Sequence, residues 1–203
     1  MKSIILNTES VQGILANRIT VTRQPIKNIC TIQMRSDDSP MFFDRKAREL
    51  KSPYQIGDIL YVKETCYFET FECFPLGTGN WVYKADNIDY PATTGWTPSI
   101  HMPREAARIF LRVTDVRVER LQDIDTMQIK AEGIYQPCIN CVVNDDCNNL
   151  IKARICTLRS SYIKLWNSRI KKQDLKKYGW NANPYCWVTS SERISKEEAE
   201  VGK

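Results

Sequence analysis

The stretch Trp96–Gly133, WTPSIHMPREAARIFLRVTDVRVERLQDIDTMQIKAEG, constrains the fold more than any other part of the chain. Ile109, Leu111 and Val113 alternate with Phe110, Arg112 and Thr114, the period-two pattern of a strand with one face in a core. Val116 and Val118 continue after a phase slip at Asp115, which predicts a bend or bulge there. Asp125 then opens a helix, with Gln128 three residues on as in a capping box, and Gly133 ends it. The only histidine, His101, lies in the same stretch, with a basic cluster of Arg104, Arg108, Arg112, Arg117 and Arg120. A basic loop feeding a central strand puts polar groups at the mouth of a rigid sheet.

Other strands surround this one, and the middle ones have no helices between them. Ile4 to Leu6 reads as a first short strand. Asn7 or Thr8 then caps a helix with Val11, Ile14 and Leu15 on one face, and Asn17 suits a left-handed end. Ile19 and Val21 alternate with Thr20 and Thr22 up to Pro25, which puts Arg18, Thr20, Thr22 and Arg23 on the polar side or ends of a short strand. Residues 30–53 are less regular, with a turn at Asp37–Pro40 and a helical turn or polar loop at DRKAREL. Ile59 to Glu64 is near-continuously apolar at its start, which predicts burial on both faces. WVYKAD adds a strand with Trp81, Tyr83 and Ala85 on one face. Leu158, Tyr162, Leu165, Trp166 and Ile170 recur at helical steps in a helix running to about Lys172. YCWVTSSERI is the last strand, with Tyr185, Trp187 and Thr189 on one face. Strands outnumber helices, so a doubly wound sheet is excluded. A small mixed or antiparallel barrel with helices packed outside fits the order.

A chain of 203 residues has room for one large domain or one domain with an insertion. The sequence predicts a single domain over 1–194, an insert at 135–157 and a charged tail at 195–203. No apolar run approaches the roughly 20 residues of a membrane helix. The start, MKSIILNTESV, lacks the apolar run and small-residue cleavage site of a signal peptide, so the expectation is a cytoplasmic protein without a membrane partner. Net charge is +5 and the pI is 8.7. That bias is below the pI of roughly 9 that marks a nucleic-acid binder by charge alone, so the clustering of the cations decides. Oligomeric state is left open.

Four of the eight cysteines cluster as C-x2-C-x5-C-x8-C, at Cys138, Cys141, Cys147 and Cys156. Four thiolates close a tetrahedron around a structural zinc ion. Reduced free thiols and an iron–sulfur cluster are the alternatives. A closed site of this kind stabilises the insert and has no position for chemistry. Cys66 and Cys186 lie in strand-like runs, where a free thiol acts as a small hydrophobe.

ILANRITVTR, YQIGDILYVKET, PSIHMPREAARIFLRVTDVRVERLQDI, KAEGI and YGWNANPYCWV occur in the order of the ASCH family, and the chain resembles its phage and prophage branch over most of residues 4–194. The resemblance implies an α+β fold, a PUA-like small mixed β-barrel with flanking helices, here with a Cys-rich insert. It also implies a cleft beside the barrel that holds RNA, single-stranded nucleic acid or a modified nucleobase. Some members are amidohydrolases on acetylated cytidine, and others are proposed to cleave RNA. In the amidohydrolase branch a Lys follows a Gly in the strand that starts the motif, with a Thr after it and a Glu from a later helix. The Lys position here is Ile19, which removes that amine; the Thr corresponds to Thr22, and Glu132 lies near the Glu position.

The expected cleft set is Arg18, Thr20, Thr22, Arg23, Lys63, Glu64, Trp96, His101 and Arg104. Cations outside an apolar frame hold phosphate, and a few convergent polar groups inside it read a base. Arg23, Lys63 and Arg104 are the phosphate candidates. Thr22, Glu64 and His101 are the base-edge candidates, and Trp96 or Tyr67 the stacking platform. If the chain is a hydrolase instead, Thr22, Lys63, Glu64 and Glu132 are its candidate catalytic residues, with a carboxylate as base and a cation stabilising charge. A third reading makes the barrel a scaffold for protein interaction. The basic set Lys164, Arg169, Lys171, Lys172, Lys176 and Lys177 is an ordinary solvated face unless it lines the cleft. Among common catalytic motifs, no Gly-rich phosphate loop, G-x-S-x-G or H-E-x-x-H is present.

Overall fold

The computed structural model describes residues 1–70, 79–86, 95–134 and 157–201. In chain order the elements are β1 (Lys2–Ile5), α1 (Thr8–Leu15), β2 (Val21–Pro25), β3 (Thr31–Met34), β4 (Pro40–Phe43), β5 (Glu49–Leu50), β6 (Ile59–Lys63), β7 (Cys66–Thr70) and β8 (Gly79–Tyr83). They continue with β9 (Phe110–Arg120), α2 (Thr126–Ala131), α3 (Thr157–Arg169), α4 (Leu175–Tyr178), β10 (Tyr185–Ile194) and α5 (Lys196–Val201). The fold is mixed α+β. None of the helices among the described residues is long and apolar enough to cross a membrane.

The chain gathers into two compact units. The first is Met1–Ile19, Ile56–Thr114 and Ser191–Lys203; the second is Thr20–Gln55 and Asp115–Ser190. The boundary between Thr114 and Asp115 falls where the sequence predicts the phase slip. Leu111 and Val113 are buried before it, whereas Val116 and Val118 are half-buried after it.

In the first unit β1, β6, β9 and β10 are neighbours in that order. β1 runs parallel to β6, with Ile4 opposite Val62. β6 is antiparallel to β9, with Leu60 opposite Leu111. Leu60 and Val62 are buried while Ile59 and Tyr61 are half-buried, so β6 hides one face and part-covers the other instead of burying both. The predicted cap of α1 forms: the Ser10 N–H donates to Asn7 Oδ1 at 2.9 Å, and Asn17 takes a left-handed φ of 52°. β7 and β8 make an antiparallel pair with Phe68 opposite Trp81. Cys66, Met102, Ala106, Phe110 and Ala199 form one apolar cluster of this unit, with Trp81 and Tyr83 packed on it.

In the second unit β9, β10 and β2 are neighbours, and β2 runs antiparallel to β10 with Thr22 opposite Thr189. The segment 30–53, irregular in sequence, folds as a three-stranded antiparallel sheet in the order β3-β4-β5. Helix α3 turns Leu158, Tyr162 and Trp166 inward against Leu121, Ile124, Ile129, Trp180 and Cys186. A large apolar side chain buried in this way contributes roughly 1.5–3 kcal/mol. The capping box of α2 forms with both of its bonds, and Gly133 follows at φ 94°. Cys138, Cys141, Cys147 and Cys156, and with them the zinc expectation, lie outside the described residues.

Candidate nucleic-acid interface

The second unit carries a groove of about 930 Å³ lined by Ile26, Ile29 and Ile32, by Tyr178 and Tyr185, and by charged side chains. The charged ones are Arg45, Lys46, Arg48, Arg120 and Lys177 against a single carboxylate, Asp44. Local sequence dictates how these cations are presented. Between β4 and β5 the chain turns over DRKAR, and the Asp44 carboxylate holds the turn. It accepts the backbone N–H groups of Lys46 and Arg48 at 2.8 and 3.0 Å. It also accepts Nε and Nη2 of Arg48 at 2.9 and 2.7 Å. Those bonds from Arg48, then Lys46, hold the Asp44 carboxyl below the usual carboxylate range. Its charge is thus committed to Arg48, and Arg45 and Lys46 are exposed beside it.

Arg120 ends β9. Its guanidinium lies 3.7 Å from the centroid of the Tyr185 ring, and Nη1 donates to the Asn183 carbonyl at 2.9 Å. Tyr185 in turn tilts against Phe42, ring centroids 5.0 Å apart. Asn183 reaches the required position in a left-handed conformation, φ 45°, with its side chain accepting the Gln122 N–H at 2.8 Å. Tyr178 is anchored through its hydroxyl, which accepts the Asn28 N–H at 3.2 Å. Lys177 precedes it on α4 and is exposed. Among the described residues, Arg45, Lys46 and Lys177 have no side-chain partner. The groove therefore combines uncommitted cations at its rim with aromatic and aliphatic walls.

The residues expected from sequence are divided between the units. Arg18, Lys63, Glu64, Trp96, His101 and Arg104 belong to the first; Thr20, Thr22, Arg23 and Glu132 belong to the second. His101 and Arg104 are exposed on short 3-10 turns, and Trp96 is half-buried. The Lys63 ammonium donates to the Ile100 carbonyl at 2.7 Å. Glu64 is 1% exposed and gripped in fork geometry by Arg108, Nε to Oε1 at 2.9 Å and Nη2 to Oε2 at 3.0 Å. The other edge of the Arg108 guanidinium binds Asp86 at 2.8 and 2.9 Å, and its plane lies 3.8 Å from the Tyr83 ring centroid. Burial pushes the Tyr83 phenol up to about 12, with Arg108 opposing and Glu64 adding to the rise. A carboxylate so occupied is an ion-pair member, not a general base. Ile19 points its side chain at Gly13.

Arg23 requires a correction as a phosphate ligand. It shares the period of Val21, so it points inward from β2, and the whole residue is 6% exposed. Its Nε donates to Glu132 at 2.9 Å, Nη1 to Glu119 at 2.8 Å and Nη2 to the Gln128 side-chain carbonyl at 3.1 Å. The Tyr162 hydroxyl donates to the second oxygen of Glu132 at 3.1 Å. Burial alone would lower the Arg23 guanidinium, but Glu132 and the surrounding acceptors outweigh it and hold it above its ordinary value. Burial pushes the Glu132 carboxyl up, against the opposing charge and hydrogen bond of Arg23. Each side-chain nitrogen of Arg23 donates within this cluster, which holds β2, α2 and α3 together.

No family model, curated protein or solved structure matches the chain. The candidate site consequently stands on the groove's own chemistry. Sequence reading named two of its cations, Arg120 in the basic cluster and Lys177 in the basic turn. It missed Arg45, Lys46 and Arg48, although the short run DRKAR between Phe42-Phe43 and Glu49-Leu50 is a turn with cations at its tip.

Proposed function

We propose that this chain is a nucleic-acid-binding module of ASCH type, built on a PUA-like barrel and of phage or prophage origin, that takes RNA in the groove of its second unit. The sequence motifs support the family reading. The observation that carries the function is the set of uncommitted cations, Arg45, Lys46 and Lys177, around the walls formed by Tyr178, Tyr185 and Arg120. Cations track a phosphate backbone, and planar groups take bases. The two carboxylates that a hydrolase reading would need, Glu64 and Glu132, are both closed in ion pairs, which favours binding over turnover.

Fluorescence anisotropy with a short labelled oligoribonucleotide tests the proposal. If Arg45, Lys46 and Lys177 each neutralise one phosphate, affinity should fall with a log–log salt slope of about −2.1, roughly 20-fold between 50 and 200 mM salt. The triple variant Arg45→Ala/Lys46→Ala/Lys177→Ala should bind more weakly, with the slope reduced by about 2. Absence of binding at low salt, or an unchanged slope in the triple variant, refutes it.

A further inference from the structure

Arg120 differs from the other groove cations in how it is held. One face of its guanidinium rests on the Tyr185 ring at 3.7 Å, and Nη1 is spent on the Asn183 carbonyl. Arg120 is otherwise exposed and lines the groove. Phe42 backs Tyr185 from within the unit at 5.0 Å and is itself fully buried, so the ring cannot retreat. The result is a fixed planar cation on an aromatic support, already ordered before any ligand arrives. Such a plane is poorly suited to act as a long flexible arm for phosphate. It suits a flat, electron-rich partner laid parallel to it, and an unpaired nucleobase is that partner.

The groove's dimensions agree. At about 930 Å³ it is of the size of clefts that enclose small molecules, roughly 300–1,000 Å³, which is room for an unpaired nucleotide. A duplex keeps its bases stacked on each other and offers only phosphates to the rim cations.

Resting on the binding reading above, we infer that the groove selects single-stranded nucleic acid and seats one unpaired base on the outer face of the Arg120 guanidinium. Arg45, Lys46 and Lys177 hold the flanking phosphates. Arg120 is then the specificity-determining residue for strandedness, and the rim cations supply affinity without it.

The test compares a short oligoribonucleotide, the same sequence annealed to its complement, and an abasic ribose-phosphate strand of equal length, against wild type, Arg120→Lys and Arg120→Ala. Lys keeps the charge and loses the plane. Single-strand affinity should fall about 5- to 150-fold in Arg120→Lys, the range of one lost base stack, while its salt slope stays as in wild type. Duplex and abasic strand should both bind wild type more weakly than the single strand, and Arg120→Lys should leave those weaker affinities unchanged. The abasic arm needs no variant, so a misfolded Arg120 variant leaves the inference exposed to refutation. If single strand and duplex bind alike, or if abasic strand and Arg120→Lys match their parents, base seating is overturned while rim binding stands. If nothing binds at all, both readings fall together.

Discussion

Replacing Arg23 by Met removes a buried charge but keeps an unbranched side chain of similar length, so packing around β2 should change little. What changes is Glu132, whose side chain is 3% exposed and would lose the guanidinium at 2.9 Å. Glu119 keeps Arg117 at 2.6 Å and the Gln128 amide, and its side chain is 18% exposed, so it suffers less. Breaking a buried pair by deleting one member costs about 3–5 kcal/mol, because the survivor is left charged without a counter-ion. For a chain of this size each kcal/mol is worth about 2–4 °C, so the midpoint should drop by roughly 6–20 °C. The pH dependence identifies the cause. Burial already holds the Glu132 carboxyl above its unfolded value, and removing Arg23 takes away the main opposing influence. A carboxyl raised in the fold favours folding fully only below its unfolded pKa of about 4.3, and that contribution is lost as pH rises through the folded value. The variant's deficit should therefore be small near pH 5 and large near pH 8, measured by urea unfolding at both. Adding Glu132→Gln, which keeps an acceptor for the Tyr162 hydroxyl without the charge, should recover more than half of the loss at pH 8. A deficit equal at the two pH values, or no rescue by Glu132→Gln, would refute the argument that an uncompensated carboxylate is the cause.

Asp125→Ala removes one half of the α2 capping box, the bond from the Gln128 N–H to Asp125 Oδ1 at 2.7 Å, and should cost about 1 kcal/mol in the same urea assay. If Cys138, Cys141, Cys147 and Cys156 form the proposed closed site, purified protein should carry about one zinc per chain by elemental analysis. Native protein without metal and with all four thiols open to alkylation would remove that site.

Elements set by local chemistry were legible in the sequence. The α1 cap at Asn7, the capping box of Asp125 and Gln128, the inward stripe of Leu158, Tyr162 and Trp166, and the last strand at Tyr185–Ile194 follow from residue type and period. The β3-β4-β5 sheet was not legible, because the alternation of Thr31–Met34 lasts only four residues and neither face of the strand is buried. The site was legible only in fragments. Arg23 reads as a surface cation, since a strand pattern that marks polar positions has no way to show that Glu119, Gln128 and Glu132 arrive from about a hundred positions away to satisfy it. Arg120 reads as one of many arginines until the fold brings Tyr185 under it. Tertiary pairing, not composition, separates a cation that binds a ligand from one that binds the protein.

The two units are interleaved along the polypeptide, which leaves the first at residue 20, re-enters it at 56, departs at 115 and comes back at 191. Neither can be excised as a continuous fragment, so truncations at any single position within these segments should yield incomplete units. During synthesis the second unit has all of its residues once Ser190 has emerged, whereas the first still lacks Ser191–Lys203, and with it Ala199 of its apolar cluster, at that point. The groove-bearing unit thus has the earlier opportunity to fold on the ribosome, although it begins later in the chain.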